Sequence, residues 1–299
     1  MFFDDYDSPV FRPPSEARSF ILRLTKGCAH NECTFCSMYK GVQFAICSDE
    51  RITKQIELAA KYGKEVVRRI FLADGDALVL PTPKLLEILH ILYQTFPHLQ
   101  RVSSYAGPKD ILKKSPQELQ ALQAAGLKLL YYGLETGDNE LLQKIKKGVT
   151  AQEAIAAGQK VVANGFKLSM MVILGLAGKA GSSQHARATA YAINCIQPQL
   201  LSALTLSFHK GCELTKDYEE GRFTPSTAEE TLEELQEMLS LIEIKPGRHT
   251  IFRSNHASNY LPLGGTLPQD KAKMLAAIPE AFNRLEELKA NHIYNENLY

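Results

Sequence analysis

A chain of 299 residues is long enough to bury one large core, and its 45% apolar and 22% charged content is ordinary for a globular protein. Lys and Arg (34) nearly balance Asp and Glu (33), so no broad basic footprint points to nucleic acid or an anionic membrane. No stretch reaches the roughly 18 apolar residues of a membrane span, and Asp4 and Asp5 exclude an ordinary signal peptide, so the six cysteines read as reduced thiols or metal ligands of a cytoplasmic protein.

Residues 1–17, rich in Asp, Pro and Ser, predict an extended lead-in. Ser19 to Thr25 reads as a strand and is followed directly by three cysteines. Ser48 then caps a helix with Asp49 and Glu50 in its first turn, Ile52, Ile56 and Ala59 on one face, and Gly63 at its end. Arg69 to Ala73 is a second strand, ending in Asp74-Gly75-Asp76, and Leu85, Ile88, Leu89 and Leu92 mark the next helix. Arg101 to Tyr105 is a third strand. Ser115-Pro116-Gln117-Glu118 is a capping box with Pro at the first helical position.

Leu127 to Leu134 is a fourth strand running into Glu135. A short helix covers Asn139 to Lys146, with Lys144, Lys146 and Lys147 as a solvated end favoured by the helix dipole. Thr150 caps another helix; Phe166 to Leu174 is a fifth strand ending in Gly175-Leu176-Ala177-Gly178; a helix follows to Ile196; Leu200 to Ser207 is a sixth strand, with His209 beyond it. Strands alternating with helices at this spacing predict βαβ units with parallel strands, either a barrel or a doubly wound sheet. After Gly211 the pattern changes. Leu232, Leu235, Leu239 and Ile242 define one more amphipathic helix, His249 to Arg253 a seventh strand, Ser254 to Gly265 a polar, turn-rich segment, and a last helix starts near Gln269 with Pro279 breaking or kinking it.

Cys28, Cys33 and Cys36 are spaced C-x4-C-x2-C, and three thiolates in so short a loop can converge on one metal centre. Three protein ligands leave a position open, whereas closed structural sites take four. Cys47, Cys195 and Cys212 are isolated and read as small hydrophobes.

This loop resembles the cluster loop of the radical S-adenosylmethionine (radical SAM) enzymes, with one residue more than the usual C-x3-C-x2-C spacing and with Phe35 as the aromatic residue before the last cysteine. The resemblance, which covers about Ser19 to His209, implies an α/β fold, a partial (β/α)6 TIM-like barrel of parallel strands over residues 18–210; beyond it, residues 211–299 read as a C-terminal α/β extension closing the barrel mouth. It implies a 4Fe–4S cluster held by Cys28, Cys33 and Cys36, reductive cleavage of S-adenosylmethionine (SAM), and hydrogen abstraction from a small-molecule substrate by a 5′-deoxyadenosyl radical. The reductant would be a flavodoxin or ferredoxin. Cofactor contacts are implied for Phe35, Asp74, Gly75, Asp76, Ser104, Glu135 and Gly175. Asp74-Gly75-Asp76 stands where the family has Gly-Gly-Glu to receive the SAM amino group. Two carboxylates crowded at a strand end also call for a cation nearby. Tyr132 to Gly137 resembles a segment of the branch that contains the oxygen-independent coproporphyrinogen oxidases and methylthiotransferases, and Gly175 to Gly178 resembles the glycine turn near adenine. Substrate-side roles fall to Glu135, His209 and His256.

Each residue keeps a plainer alternative. The three cysteines with His30 or a remote thiol would make a zinc knuckle, Asp74 to Asp76 a polar turn, and Glu135 a cap for the Asn139 helix. His185, His209 and His256 would be surface or hydrogen-bonded structural groups, and residues 254–260 a solvated loop. The competing functions are a porphyrin-related enzyme of the same superfamily and a non-catalytic zinc or iron–sulfur protein.

Overall fold

In the computed structural model the described residues are 10–290. Residues 1–9, with Asp4, Asp5 and half of the expected lead-in, lie outside them. The chain divides into two compact units: the described part of Met1–Asn31 with Met38–Tyr132 and Lys160–Leu168, and Glu32–Ser37 with Gly133–Gln159 and the described part of Ser169–Tyr299.

The first unit holds β1 (Phe20–Arg23), the two-residue strands β2 (Thr25–Lys26) and β3 (Ala45–Ile46), α1 (Asp49–Gly63), β4 (Arg69–Ala73), α2 (Thr82–Thr95), β5 (Arg101–Tyr105), α3 (Pro108–Lys113) and α4 (Pro116–Ala124), and most of β6 (Leu127–Glu135). β1, β4, β5 and β6 are parallel neighbours in that order. Residues of β1 and β4 are buried almost without alternation, as expected of strands covered on both faces. The Ser48 hydroxyl accepts from the Arg51 amide, and Ser115 and Glu118 form both halves of the expected capping box.

The second unit holds α5 (Asn139–Lys144), most of α6 (Ala151–Ala163) and of β7 (Lys167–Leu174), α7 (Gly178–Ile196), β8 (Leu200–Thr205), α8 (Glu213–Glu219), α9 (Ala228–Leu241), β9 (Thr250–Ser254), β10 (Leu263–Leu267) and α10 (Lys271–Ala290). β7, β8 and β9 are parallel neighbours, and β10 adds antiparallel to β9. The α/β class and all six β/α strands match the reading of the sequence.

Three departures are local. The end of the expected polar segment is strand β10, because Leu263 and Leu267 are buried at its two ends and Gly265 leaves room for Asp270 to approach. Helix α10 is not broken at Pro279, which sits on an exposed position. Helices α3 and α8 span only six and seven residues, too few for apolar periodicity to announce them. Among the described residues no helix is long and apolar enough to cross a membrane.

Candidate radical SAM site

In the first unit, Arg23 at the end of β1 is fully buried. Its Nε donates to Asp74 Oδ2 at 2.9 Å, and its backbone exchanges hydrogen bonds with the Gln55 side chain of α1. The same Asp74 oxygen accepts from the Gly27 amide at 3.0 Å, while the Asp74 amide donates to Thr25 Oγ1. The Gly75 amide donates to the Gly27 carbonyl, and a Cβ on Gly75 would fall 2.8 Å from Cys28 Cα. Glycine is therefore required there to let the Asp74 turn lie against the chain at Cys28. The Asn31 amide points at Cys28 Sγ from 3.5 Å, and the Asn31 side chain donates to the Tyr39 carbonyl. Burial pushes the Asp74 carboxyl above its usual range, against the opposing pull of Arg23.

Asp76 is also buried. Its Oδ1 caps the turn at Leu78, its Oδ2 accepts from the Gly107 amide at 2.7 Å, and burial, then Asp110, holds its carboxyl well above normal. Ser104 on β5 is fully buried and donates to the Tyr105 and Leu72 carbonyls. The cation beside Asp74 is the protein's own Arg23, whereas Asp76 is held by the Leu78 and Gly107 amides. The two acidic groups shape the turn between β4 and the cysteine loop.

In the second unit, the chain from Cys33 to Cys36 is clamped by its backbone. The Thr34 amide donates to Ile145 O, the Leu214 amide donates to Thr34 O, and the Cys212 thiol donates to Phe35 O. Phe35 packs on an apolar cluster of Leu141, Leu142, Ile145, Leu176 and Leu214. Cys212, buried, is the small core residue expected of it.

Glu135 ends β6 with φ of +63°, a conformation that costs a non-glycine residue of order 1–3 kcal/mol and is concentrated at functional sites. Its side chain folds back so closely over Gly133 that a Cβ there would lie 2.1 Å from Glu135 Oε1. That oxygen meets Lys147 Nζ at 2.7 Å, with both side chains less than 15% exposed. Burial would lower the Lys147 ammonium, but Glu135 and negative charge on Cys33 and Cys36 more than offset it, and the net direction is upward.

Lys147 overturns its assignment to a solvated helix end. Helix α5 stops at Lys144, and positive φ at Lys146 (+53°) and Gly148 (+77°) turns the chain, so Lys146 reaches Glu213 at the surface while Lys147 is directed inward. The reading of Glu135 as a helix cap is overturned as well, because Asp138 caps α5.

Gly175, with φ of +74°, follows β7, and its amide donates to Glu234 Oε1 of α9 at 2.8 Å. His209 is exposed, and its carbonyl receives the Cys212 amide and the Thr215 hydroxyl. His256 is exposed too, its Nδ1 bonded to Ser258, while Ser258 and Asn259 dock on Thr205 and Ala203 of β8. His185 is wholly buried in α7 and so is no surface group. No disulfide joins any of the six cysteines, and among the described residues no three His, Cys, Asp or Glu side chains are already gathered in a metal-binding arrangement. The donor chemistry nonetheless fits an iron–sulfur cluster: thiols are soft donors, and the Lys147 ammonium stands where negative charge on Cys33 and Cys36 favours it.

Comparisons with known proteins agree with this chemistry. Among curated proteins, 4′-phospho-dehydrooxetanocin synthase of Priestia megaterium is 26% identical over 172 residues, which are 52% of this chain and 23% of that protein. Methylornithine synthase (PylB) superimposes with a TM-score of 0.53 at 16% identity, over 76% of this chain and 63% of its own. Coproporphyrinogen III oxidase (HemN) of Escherichia coli does so with 0.55 at 14% identity, over 74% and 51%. The chain thus spans about a quarter of the curated relative and under two thirds of these solved chains. At such identities the superpositions establish the fold, that of the radical SAM partial barrels. A model of the Radical SAM superfamily matches residues 22–179, from β1 through all three cysteines to the Gly175 turn. More than half of the chain being matched, it belongs to the radical SAM superfamily, whose enzymes use a 4Fe–4S cluster and S-adenosylmethionine.

Proposed function

We propose that this chain is an enzyme that cleaves SAM reductively and takes hydrogen from a small-molecule substrate, with Cys28, Cys33 and Cys36 as the ligands of its 4Fe–4S cluster. The observation that carries this reading is the C-x4-C-x2-C loop directly after β1 within the superfamily match. When bound, the cluster and SAM supply one electron and, on breaking of the carbon–sulfur bond, a 5′-deoxyadenosyl radical able to abstract hydrogen.

The protein's own residues hold and aim that chemistry. Gly75 and Asp74 fix the course of the chain at Cys28, and the turn from Asp74 to Asp76 is the receiver of the SAM amino group. Phe35, on its apolar cluster, anchors the stretch between Cys33 and Cys36. Lys147, oriented by Glu135, offsets the negative charge that thiolates bring to a partly buried loop. Ser104 holds the end of β5 through its carbonyl contacts, Gly175 opens the turn facing adenine, and His209 and His256 stand on the substrate side. An oxygen-labile cluster and cysteines outside disulfides suit a reducing cytoplasm, with a flavodoxin or ferredoxin as electron donor.

Anaerobic reconstitution tests the reading. The wild type should take up about four irons per chain and release 5′-deoxyadenosine from SAM when reduced. Alanine at Cys28, Cys33 or Cys36 should remove most iron and all cleavage, while alanine at Cys47 or Cys195 should remove neither. Stoichiometric zinc without iron after anaerobic isolation would sink the proposal.

A further inference from the structure

Helix α9 lies outside the superfamily match and presents Glu230, Glu234 and Glu237 at helical spacing toward α7. The outer two find cations: Glu230 pairs with Lys179 at 2.7 Å and Glu237 with Arg187 at 2.6 Å. The middle one is different. Glu234 has a fully buried side chain and no cation at hydrogen-bond distance; it takes the Gly175 amide on Oε1 at 2.8 Å and the Ser182 hydroxyl on Oε2 at 2.6 Å. His185 Nε2 faces Oε1 from 3.6 Å, beyond a hydrogen bond, in a ring that is itself buried.

A carboxyl with no exposed surface is costly, and an apolar residue would pack that position better if joining two helices were its only role. What it holds is the backbone of the turn after β7. The same turn is gripped a second time from beyond the matched region: the Lys179 amide donates to Thr224 O, and Gly178, with φ of +65°, lies so close that a Cβ would stand 2.6 Å from that oxygen. The turn from Gly175 to Gly178 is thus set from outside, by residues of the 211–299 region.

We propose that Glu234 is a positioning residue that fixes the Gly175–Gly178 turn in the conformation that receives the nucleoside end of SAM, so that the C-terminal region governs SAM affinity. This rests on the reading of that turn given under the proposed function. Burial raises the Glu234 carboxyl to about 7, with Glu237 adding to the rise and Ser182 and Gly175 opposing it. His185, lowered to about 4 by burial against the pull of Asp138, brings no charge at neutral pH.

The test compares Glu234→Leu, Glu234→Gln and Ser182→Ala. Three measurements are made: amide exchange at Gly175 in the cluster-free chain, affinity for 5′-deoxyadenosine, and iron content with SAM affinity after anaerobic reconstitution. Removing the acceptor in Glu234→Leu should speed Gly175 exchange and weaken both ligands, each about tenfold, the equivalent of one hydrogen bond, with iron content unchanged. Glu234→Gln keeps an acceptor for Gly175 and should restore near wild-type values. Ser182→Ala should give a smaller loss of the same kind, which keeps the proposal falsifiable if the leucine variant does not fold. Wild-type affinities in the leucine or serine variant, or iron lost together with SAM, would overturn this inference alone. A wild-type chain that binds no SAM would overturn the proposed function, and this inference with it.

Discussion

In the first unit the chain at Cys28 is braced by charge that the protein neutralises for itself: Arg23 and Asp74 are both fully buried and meet at 2.9 Å. In the second unit the chain from Cys33 to Cys36 is braced by backbone hydrogen bonds and the packing of Phe35, and its nearby cation, Lys147, answers to the cysteines as well as to Glu135. One stretch therefore spends its ionic groups on shape. The other keeps a cation for whatever charge the thiols carry. An ionisable residue beside the cysteine loop has two separate uses, and only the groups it meets tell them apart.

The sharpest way to break this contrast is to remove one half of the first unit's pair. Asp74→Ala leaves Arg23 buried without its carboxylate and frees the Gly27 amide, and it should cost about 3–5 kcal/mol in urea unfolding. Arg23→Met should cost a similar amount. The double variant Arg23→Met/Asp74→Leu should be more stable than either single one, because no lone buried charge remains. Additive losses would mean that the two residues act independently and not as a self-neutralising pair.

A smaller effect is expected in the second unit. Lys147→Met removes a positive charge sensed by two proposed cluster ligands while the backbone clamps on Thr34 and Phe35 stay in place. Iron loading should survive, and the cluster's midpoint potential should fall by on the order of 60 mV, a tenfold change in a one-electron equilibrium. Lys147→Arg should recover most of it. An unchanged potential in Lys147→Met would reduce the lysine to a structural partner of Glu135.

Much of this contrast could be read only in part from the chain. Strands β4 and β5 stand at their expected bounds, since each is a short run between clear turn signals. The three cysteines and Phe35 fall within nine residues, so their grouping is plain in the chain. Arg23 and Asp74 are 51 positions apart, and no local pattern announces their pairing. Lys147 was misplaced because its direction depends on two left-handed residues, and only one of them, Gly148, is a glycine that hints at such a turn. Glu234 lies in a run of acidic residues on α9 that reads as a solvated face, and its burial becomes visible only once α7 is packed against that helix.

The finest test concerns the buried pair Glu234 and His185, whose ionisations pull stability in opposite directions. A carboxyl raised to about 7 binds more protons in the folded than in the unfolded chain between about pH 4.5 and 7, so its contribution falls as pH rises through that window and is level above it. An imidazole lowered to about 4 binds fewer protons when folded between about pH 4 and 6.5, so its contribution rises with pH there. Over pH 4.5 to 6.5 the two slopes, each at most about 1.4 kcal/mol per pH unit, nearly cancel in the wild type. Glu234→Gln should uncover the histidine's slope, gaining stability relative to wild type as pH rises to 7 and holding that gain beyond. His185→Gln should do the reverse, losing ground to wild type from pH 4 to 6.5. Parallel curves for all three proteins would show that neither group is buried as an isolated neutral acid and base.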